Sequence, residues 1–401
     1  IFETIINNLP EVGSPTQRRL SFKEKLKWTG VALILFFILG LIPLFGLGAN
    51  ALQQFEFLSI ILGAEFGSII SLGIGPLVTA SIVLQLLNGS GLIKFDLTSS
   101  EGKKRFQGTQ KILSIFFIIF ESTIYVLMGG LSPEAQFIGT GMYSQLQILL
   151  IFQIILGGII VMFLDEVVSK WGFGSGISLF IAAGVSKQIL VRALSWLPSP
   201  TNPGIATGAI PALFQSLAQG DPITAMLMLS ALLATILVFL VSIYAQSMKI
   251  EIPLSFGRIR GHGIRWPLSF MYTSNIPVIL VAALLANIQL WASLVENWAT
   301  NSSSKIVHFI SVYILGQTQS VNAGHGLVQW VNPPDILGQI IRGSFSLGQL
   351  GTALAYMFIM IAGAVIFSIF WVQTAGMDAG SQAKQIMNSG LQIPGFRKDQ
   401  R

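Results

Sequence analysis

Ser175, set in Gly172-Phe173-Gly174-Ser175-Gly176, is the side chain of this sequence best framed for nucleophilic chemistry. A serine nucleophile needs a base within hydrogen-bond reach and a group to orient that base. His262, His308 and His325 are the only histidines, and all three fall between apolar stretches. Asp165 stands at the end of one such stretch with no second aspartate at its depth, so neither a triad nor an aspartate pair is assembled. The glycine run 172–176 lacks the strand and the acidic partner of a dinucleotide site and reads as a tight turn leading into a helix. No phosphate-binding loop and no His-Glu-x-x-His spacing occur. Cysteine is absent, which excludes disulfides, thiolate metal sites and a cysteine nucleophile. The chain is not expected to be an enzyme or to hold a cofactor or a metal.

The residues that remain are a few polar groups among aliphatic ones. Glu121, in Phe120-Glu121-Ser122-Thr123, is the one acid inside an apolar stretch, where an unpaired carboxylate costs several kcal/mol. Thr79 and Asn287, each near the middle of another apolar stretch, are its natural partners. A structural polar contact and a functional one fit this pattern equally, and a proton or ion relay would need more acids or histidines at depth. Ile74 and Val78 are four residues apart, as are Ile177 and Ile181, so each pair shares a helix face, and Ile279 follows Pro277 closely. Such faces usually belong to a core. Converging on a constriction, they would exclude ions by dewetting and offer no hydrogen bonds that select a passenger.

The elements that must position these residues are membrane spans. With 52% hydrophobic and only 10% charged residues, the composition lies outside that of soluble globular proteins. About 20 residues at 1.5 Å rise cross a hydrocarbon core of about 30 Å. Spans are expected over 28–47, 67–87, 111–128, 143–164, 176–194, 222–246, 270–291 and 350–372, which makes the fold all-α and polytopic. The second of these is broken in its middle by Gly73-Ile74-Gly75-Pro76, and reads either as a kinked packing helix or as a pore-lining one. Residues 1–27 read as an amphipathic surface helix with no signal-peptide pattern, so that insertion starts from the first span. Residues 49–66 are too short and polar to span and read as a half-helix folding back into a cavity.

With spans alternating from an internal N-terminus, all but Lys187, Arg192, Lys305 and Arg342 of the 23 lysines and arginines fall on the inside. This asymmetry predicts that both ends of the chain face the cytoplasm. The 247–269 loop and the tail after Val372 carry basic residues that either set topology or meet an anionic partner. A proline follows an aliphatic-rich start in both Ile74-Gly75-Pro76 and Asn275-Ile276-Pro277, which suggests two related halves, 28–221 and 222–401. A secondary transporter with broken helices in inverted repeats would share that architecture, but should place specific polar ligands at mid-membrane. A purely structural assembly subunit is a third class.

Several stretches resemble SecY, the central subunit of the Sec protein-conducting channel, in its archaeal and eukaryote-like form. They include Phe22-Lys23-Glu24-Lys25-Leu26-Lys27-Trp28, Leu72-Gly73-Ile74-Gly75-Pro76, Leu164-Asp165-Glu166-Val167-Val168-Ser169-Lys170, Gly174-Ser175-Gly176-Ile177-Ser178-Leu179-Phe180, Ser274-Asn275-Ile276-Pro277-Val278-Ile279 and Ala286-Asn287-Ile288-Gln289-Leu290-Trp291. The resemblance implies two pseudo-symmetric halves around an hourglass pore that moves unfolded secretory polypeptides across the bilayer and releases transmembrane segments sideways into lipid. It further implies a pore ring of Ile74, Val78, Ile177, Ile181 and Ile279, and a lateral gate between the second and seventh spans with Thr79, Glu121 and Asn287 as its polar cluster. The plug would be the half-helix at about 55–66, with Phe55, Phe57, Leu58, Ile61 and Leu62. Arg258, Arg260, Arg397 and Lys398 would meet a translating ribosome. The other implied partners are the SecE (gamma) and small beta subunits, signal peptides and nascent chains, and the lipid of the plasma membrane. The family has ten spans and this sequence reaches the eighth, so the expectation is that the ninth and tenth lie outside the sequence given.

Overall fold

The computed structural model describes residues 8–16, 20–50, 63–89, 92–93, 95, 99–198, 204–256, 263–273, 276–301, 305–316, 326–374, 377–388 and 391–392. The first helix with both ends among the described residues, α1 (Phe22–Leu41), starts six residues before the predicted span. Ser21 caps it by accepting from the Glu24 backbone while the Glu24 side chain accepts from Ser21, so two orphan N–H groups are satisfied at once. It ends before Pro43, which disfavours helical backbone in the residue ahead of it. The chain then forms strand β1 (Leu47–Asn50), where the sequence had suggested the end of a span.

The second predicted span is corrected most. Residues 66–74 are a knot of turns, and helix α2 runs only from Gly75 to Gly89, about 22 Å at 1.5 Å per residue. Pro76 explains the difference. In the first turn of a helix its missing N–H is no loss, whereas mid-helix it would break a hydrogen bond, so the Gly-Ile-Gly-Pro sequence starts a helix instead of kinking one. Gly73 takes a left-handed φ of 54° that turns the chain into α2.

Helices α3 (Ser100–Leu127) and α4 (Gly141–Trp171) follow, joined by strand β2 (Leu131–Pro133), which pairs antiparallel with β1. Next come α5 (Gly176–Leu194), α6 (Ala209–Gln219) and α7 (Pro222–Ser247). Asp221 caps α7, its side chain accepting from Thr224, and Pro222 occupies the first turn. Strands β3 (Lys249–Phe256) and β4 (Gly263–Ser269) form an antiparallel hairpin in which Ile250, Ile252 and Leu254 stand opposite Leu268, Trp266 and Ile264. Helices α8 (Ile276–Asn301), α9 (Lys305–Phe309), α10 (Leu327–Val331), α11 (Ile336–Ile341), α12 (Leu347–Thr374) and α13 (Ala379–Asn388) complete the helical part. Strand β5 (Leu391–Gln392) adds to the hairpin beside β3. The spans are helical as the composition predicts; the two small sheets are additions in the connecting loops.

Among the described residues six helices are long and apolar enough to cross a membrane: α3, α4, α5, α7, α8 and α12. The other two predicted spans fall short on different grounds. α1 carries Lys23, Glu24, Lys25 and Lys27 in its first turns, and α2 is too short. α2 packs against α3, α8 and α12 and is the most interior helix, with Leu77, Val78, Ala80, Ile82 and Leu84 buried.

The knot before α2 is seated on α4. A Cβ added at Gly157 would lie 1.9 Å from the Ile69 carbonyl oxygen, and one at Gly158 would meet Ile118 of α3 at 2.8 Å. Only glycine lets these backbones approach so closely. Gly157→Leu should therefore lower the melting temperature of the detergent-solubilised protein, at a cost of about 1–3 kcal/mol or more, since the clashing atom is backbone. Gly351→Ala, where a Cβ meets nothing within 4 Å, should leave melting unchanged or slightly raised.

Candidate functional site

Helix α5 begins beside α4, and its start is fixed by two side chains. Ser175 accepts from the Ser178 N–H at 3.4 Å, and Asp165 of α4 accepts from the Ile177 N–H at 2.9 Å. There is no room for a side chain at Gly176, whose added Cβ would lie 2.6 Å from the Asp165 Cα. The glycine run thus makes the tight turn expected of it, and Asp165, read from sequence as a stray acid at a span's end, holds the first turn of α5. Neither residue has a histidine near it to make a catalytic set among the described residues, and no cluster of three or more His, Asp or Glu there is arranged to hold a metal.

Ile177 and Ile181, placed by that turn, face α2 and α8 across a cavity of about 320 Å³. Val78 of α2, Ile177 and Ile181 of α5, and Ile279 and Leu280 of α8 supply its aliphatic wall. Ile74, fully buried one turn before Val78, packs in the same apolar cluster with Val78, Ile177 and Ile181. Four of the five residues expected to form a ring therefore line one cavity, and the fifth, Ile74, is not in its lining but belongs to the same apolar cluster. The polar lining comes from Ser81, Gln85, Gln110, Ser175 and Ser178. Gln85 donates to Ser81 at 2.9 Å, one turn apart on α2. Sequence reasoning passed over this stripe, although the spacing 78, 81, 85 is helical and could have shown it.

Thr79 points away from the cavity toward α3 and α8. Asn287 Nδ2 of α8 donates to Thr79 Oγ1 at 3.3 Å, and Thr79 donates to the Gly75 carbonyl at 2.9 Å. The Glu121 carboxyl of α3 lies beside that hydroxyl. Glu121 is buried, and its Oε2 has no hydrogen-bond partner among the described residues. Three helices thus meet at one hydroxyl.

The residues assigned to a plug, Phe55, Phe57, Leu58, Ile61 and Leu62, lie outside the described residues, as do Arg258, Arg260, Arg397 and Lys398. What is described is the β3–β4 strand pair on either side of residues 257–262 and the β5 strand that precedes Arg397 in the chain.

A second cavity, of about 640 Å³, adjoins the first through Gln110, Ser175 and Ile177. Leu9 and Glu11 line it from a strap at residues 8–13. The strap is non-helical from residue 9 onward, where the sequence suggests an amphipathic surface helix over 1–27: Pro10 disfavours helical backbone in the residue ahead of it, and the strap's polar groups bond to α3 and α4 instead. Lys111 of α3 donates to the Pro10 carbonyl and pairs with Glu166 of α4, which in turn accepts from the Val12 N–H at 3.0 Å. Lys170 donates to the Val12 carbonyl at 2.6 Å and pairs with Glu11, and Trp171 Nε1 donates to the Gly13 carbonyl at 2.8 Å. These partners are more than 100 positions away along the chain, beyond the reach of any local pattern.

The hydrogen bond from Lys170 outweighs the desolvation of Glu11 and holds its carboxyl below the usual carboxylate range. A depressed pKa contributes stability above the unfolded-state value and loses it as pH falls through the folded-state value. Amide exchange across residues 8–13 should therefore be slow at neutral pH and accelerate on acidification through the carboxylate range. Lys170→Met should accelerate it already at neutral pH; equal protection in that variant would show that the pair does not hold the strap.

Comparison with known proteins bears on the whole chain. The SecY family model matches residues 68–401, and a model of the plug domain of Sec61p matches residues 34–67. The protein translocase subunit SecY of Methanothermobacter thermautotrophicus is 43% identical over 400 residues, covering 99% of this chain and 82% of the relative. Among solved structures, one described as showing that the SecY plug domain stabilises the closed state of the translocation channel and maintains a membrane seal aligns with a TM-score of 0.77. It is 40% identical and covers 99% of this chain and 82% of that one. Sec61 in the canine ribosome-channel complex aligns with a TM-score of 0.75 at 41% identity, covering 95% of this chain and 80% of that one.

Proposed function

The chain belongs to the SecY family, and from that premise we propose which of its residues form the pore, the gate and the docking surface. It is a multi-pass helical membrane protein and a protein-conducting channel subunit, a channel and not an enzyme, and the secondary-transporter alternative has no support. The observation that carries the assignment is the convergence of Val78, Ile177, Ile181 and Ile279 on one cavity, with Ile74 in the same apolar cluster as Val78, Ile177 and Ile181.

A passenger polypeptide presents every side chain in turn, so the constriction must close around any of them and prefer none. Branched aliphatic side chains do this. They pack without directional bonds, and a narrow apolar ring sheds water, which raises the barrier to ions while the channel is idle. The pore ring is Ile74, Val78, Ile177, Ile181 and Ile279. Energy for movement comes from a partner, since the chain carries no nucleotide-binding loop.

The lateral gate lies between α2 and α8 and is held by the Thr79–Asn287 hydrogen bond with Glu121 behind it. One such bond is worth about 0.5–1.5 kcal/mol net. Burying an apolar signal segment between the helices yields about 25 cal/mol per Å² removed from water, so a modest contact outweighs it. The signal segment thus shifts a pre-existing balance toward the open gate. Residues 55–66 act as the plug, in the segment that resembles the plug domain of Sec61p. The two halves, 28–221 and 222–401, move against each other when the gate parts. The chain sits in the plasma membrane with the hairpin and both ends of the given sequence in the cytoplasm. There Arg258, Arg260, Arg397 and Lys398 meet the ribosome, and the SecE (gamma) and small beta subunits complete the complex.

Single cysteines at Ile74, Ile177 or Ile279 test the pore directly, since the chain has no other cysteine. A stalled nascent chain should crosslink to at least one of them, and silence at all three in a folded complex would defeat the channel assignment. Asn287→Leu and Glu121→Gln should change how apolar a signal must be for export, moving the gate balance about two- to tenfold. An unchanged signal dependence in both variants would remove the cluster from the gate.

A further inference from the structure

Outside the pore ring, the gate cluster and the strap, one ion pair joins α5 to the turns that precede α2. Lys187, on the half of α5 away from Ser175, pairs with Glu65, two residues before the end of the plug-like segment. Helix α5 is thinly held, with only Gly176 and Phe180 buried. Glu65, by contrast, is seated. Its backbone carbonyl accepts from the Ser68 N–H at 3.0 Å and from the Ser68 hydroxyl at 2.7 Å, and its side-chain stem fills the space left by Gly40 of α1. Just before it, Gly63 turns at a φ of 54° over the Phe36 ring and the Phe180 backbone, again of α5. Ile181 of the pore ring stands on α5 between Phe180 and Lys187, so the pair ties a pore-lining helix to the root of the plug-like segment.

We propose that Lys187 and Glu65 form an electrostatic latch that fastens the root of the plug to α5 while the channel is closed, and that they are positioning residues for the seal. The proposal rests on the channel reading. The latch suits a part that must release. Both side chains are about 40% exposed, at 39% and 41%, so water can take over their solvation when they separate, and neither is left as a buried unpaired charge. A latch buried as deeply as the Lys111–Glu166 pair could not part at so low a cost.

Charge exchange tests it, with the full-length chain assembled in its complex and reconstituted in lipid vesicles. Two quantities are read: ion leak through idle channels, and transport of a secretory precursor whose signal has been weakened. Glu65→Lys and Lys187→Glu should each raise both about two- to fivefold, and the shape-preserving Glu65→Gln should raise them less. The double variant, carrying the pair reversed, should return both to within about twofold of the parent. Single variants indistinguishable from the parent, or a double variant whose defects add, would overturn the latch. A parent complex that moves no precursor at all would instead overturn the channel reading on which the latch depends, so the two failures are distinct.

Discussion

In a bilayer interior no water is on hand to satisfy a peptide group, so every stretch of backbone that is not helical must find its own partners. The turns between Gly63 and Gly75 meet this demand in full view. Gly73 N–H donates to the Ile70 carbonyl and Gly75 N–H to that of Leu72; Ile69 N–H donates to the Ile42 carbonyl and Leu44 N–H to that of Gly67. Ser71 closes the knot, its hydroxyl accepting from the Gly67 N–H and donating to the Ser68 carbonyl. Because these turns find partners among themselves and in residues 42–44, they can sit against Gly157 of α4, start α2 there, and place Val78 on the cavity wall with Ile74 in the same apolar cluster. The position of the proposed constriction follows from that arrangement.

The polar side chains fall into two kinds according to what their exposure allows. Lys111 and Glu166 are 11% and 17% exposed, and removing one partner of such a pair costs about 3–5 kcal/mol, so the strap they hold is a permanent part of the fold. The Thr79–Asn287 bond and the Lys187–Glu65 pair are individually weak and bridge the elements that move in the proposed gating. The wall between them is aliphatic and passive. Stability and switching are thus carried by different side chains, and the pore itself by residues that form no directional bond.

Much of the site was legible before the structure. The i, i+4 spacing of Ile74 with Val78, and of Ile177 with Ile181, follows from helix geometry, and a lone acid in an apolar span must have polar company, which pointed to Glu121, Thr79 and Asn287. Where the reading failed, local rules were outweighed or misapplied. The length of the hydrophobic stretch 67–87 matches a bilayer and predicts one broken helix, whereas Pro76 after Gly75 is a helix-start signal. The 247–269 loop was read for its charge, while the alternation of Ile250, Ile252 and Leu254 that makes it a hairpin was overlooked.

By itself the sequence determined the membrane class, most of the helical spans, the shared aliphatic faces and the buried acid that needs polar company, because composition, periodicity and the cost of burying charge act over a few turns of chain; the reading of these residues as pore and gate came from the resemblance to SecY. Only the tertiary structure decided that Asp165 holds the start of α5, that Lys111, Glu166 and Lys170 grip a strap at residues 8–13, and that Lys187 reaches Glu65. Each of these joins groups from separate elements, and an ion pair or hydrogen bond has no signature until packing brings its two halves within about 3 Å. The stretch Gly73-Ile74-Gly75-Pro76 shows both sides: its residue types announce a break in the helix, and the seat on Gly157 makes that break the point where the pore wall begins.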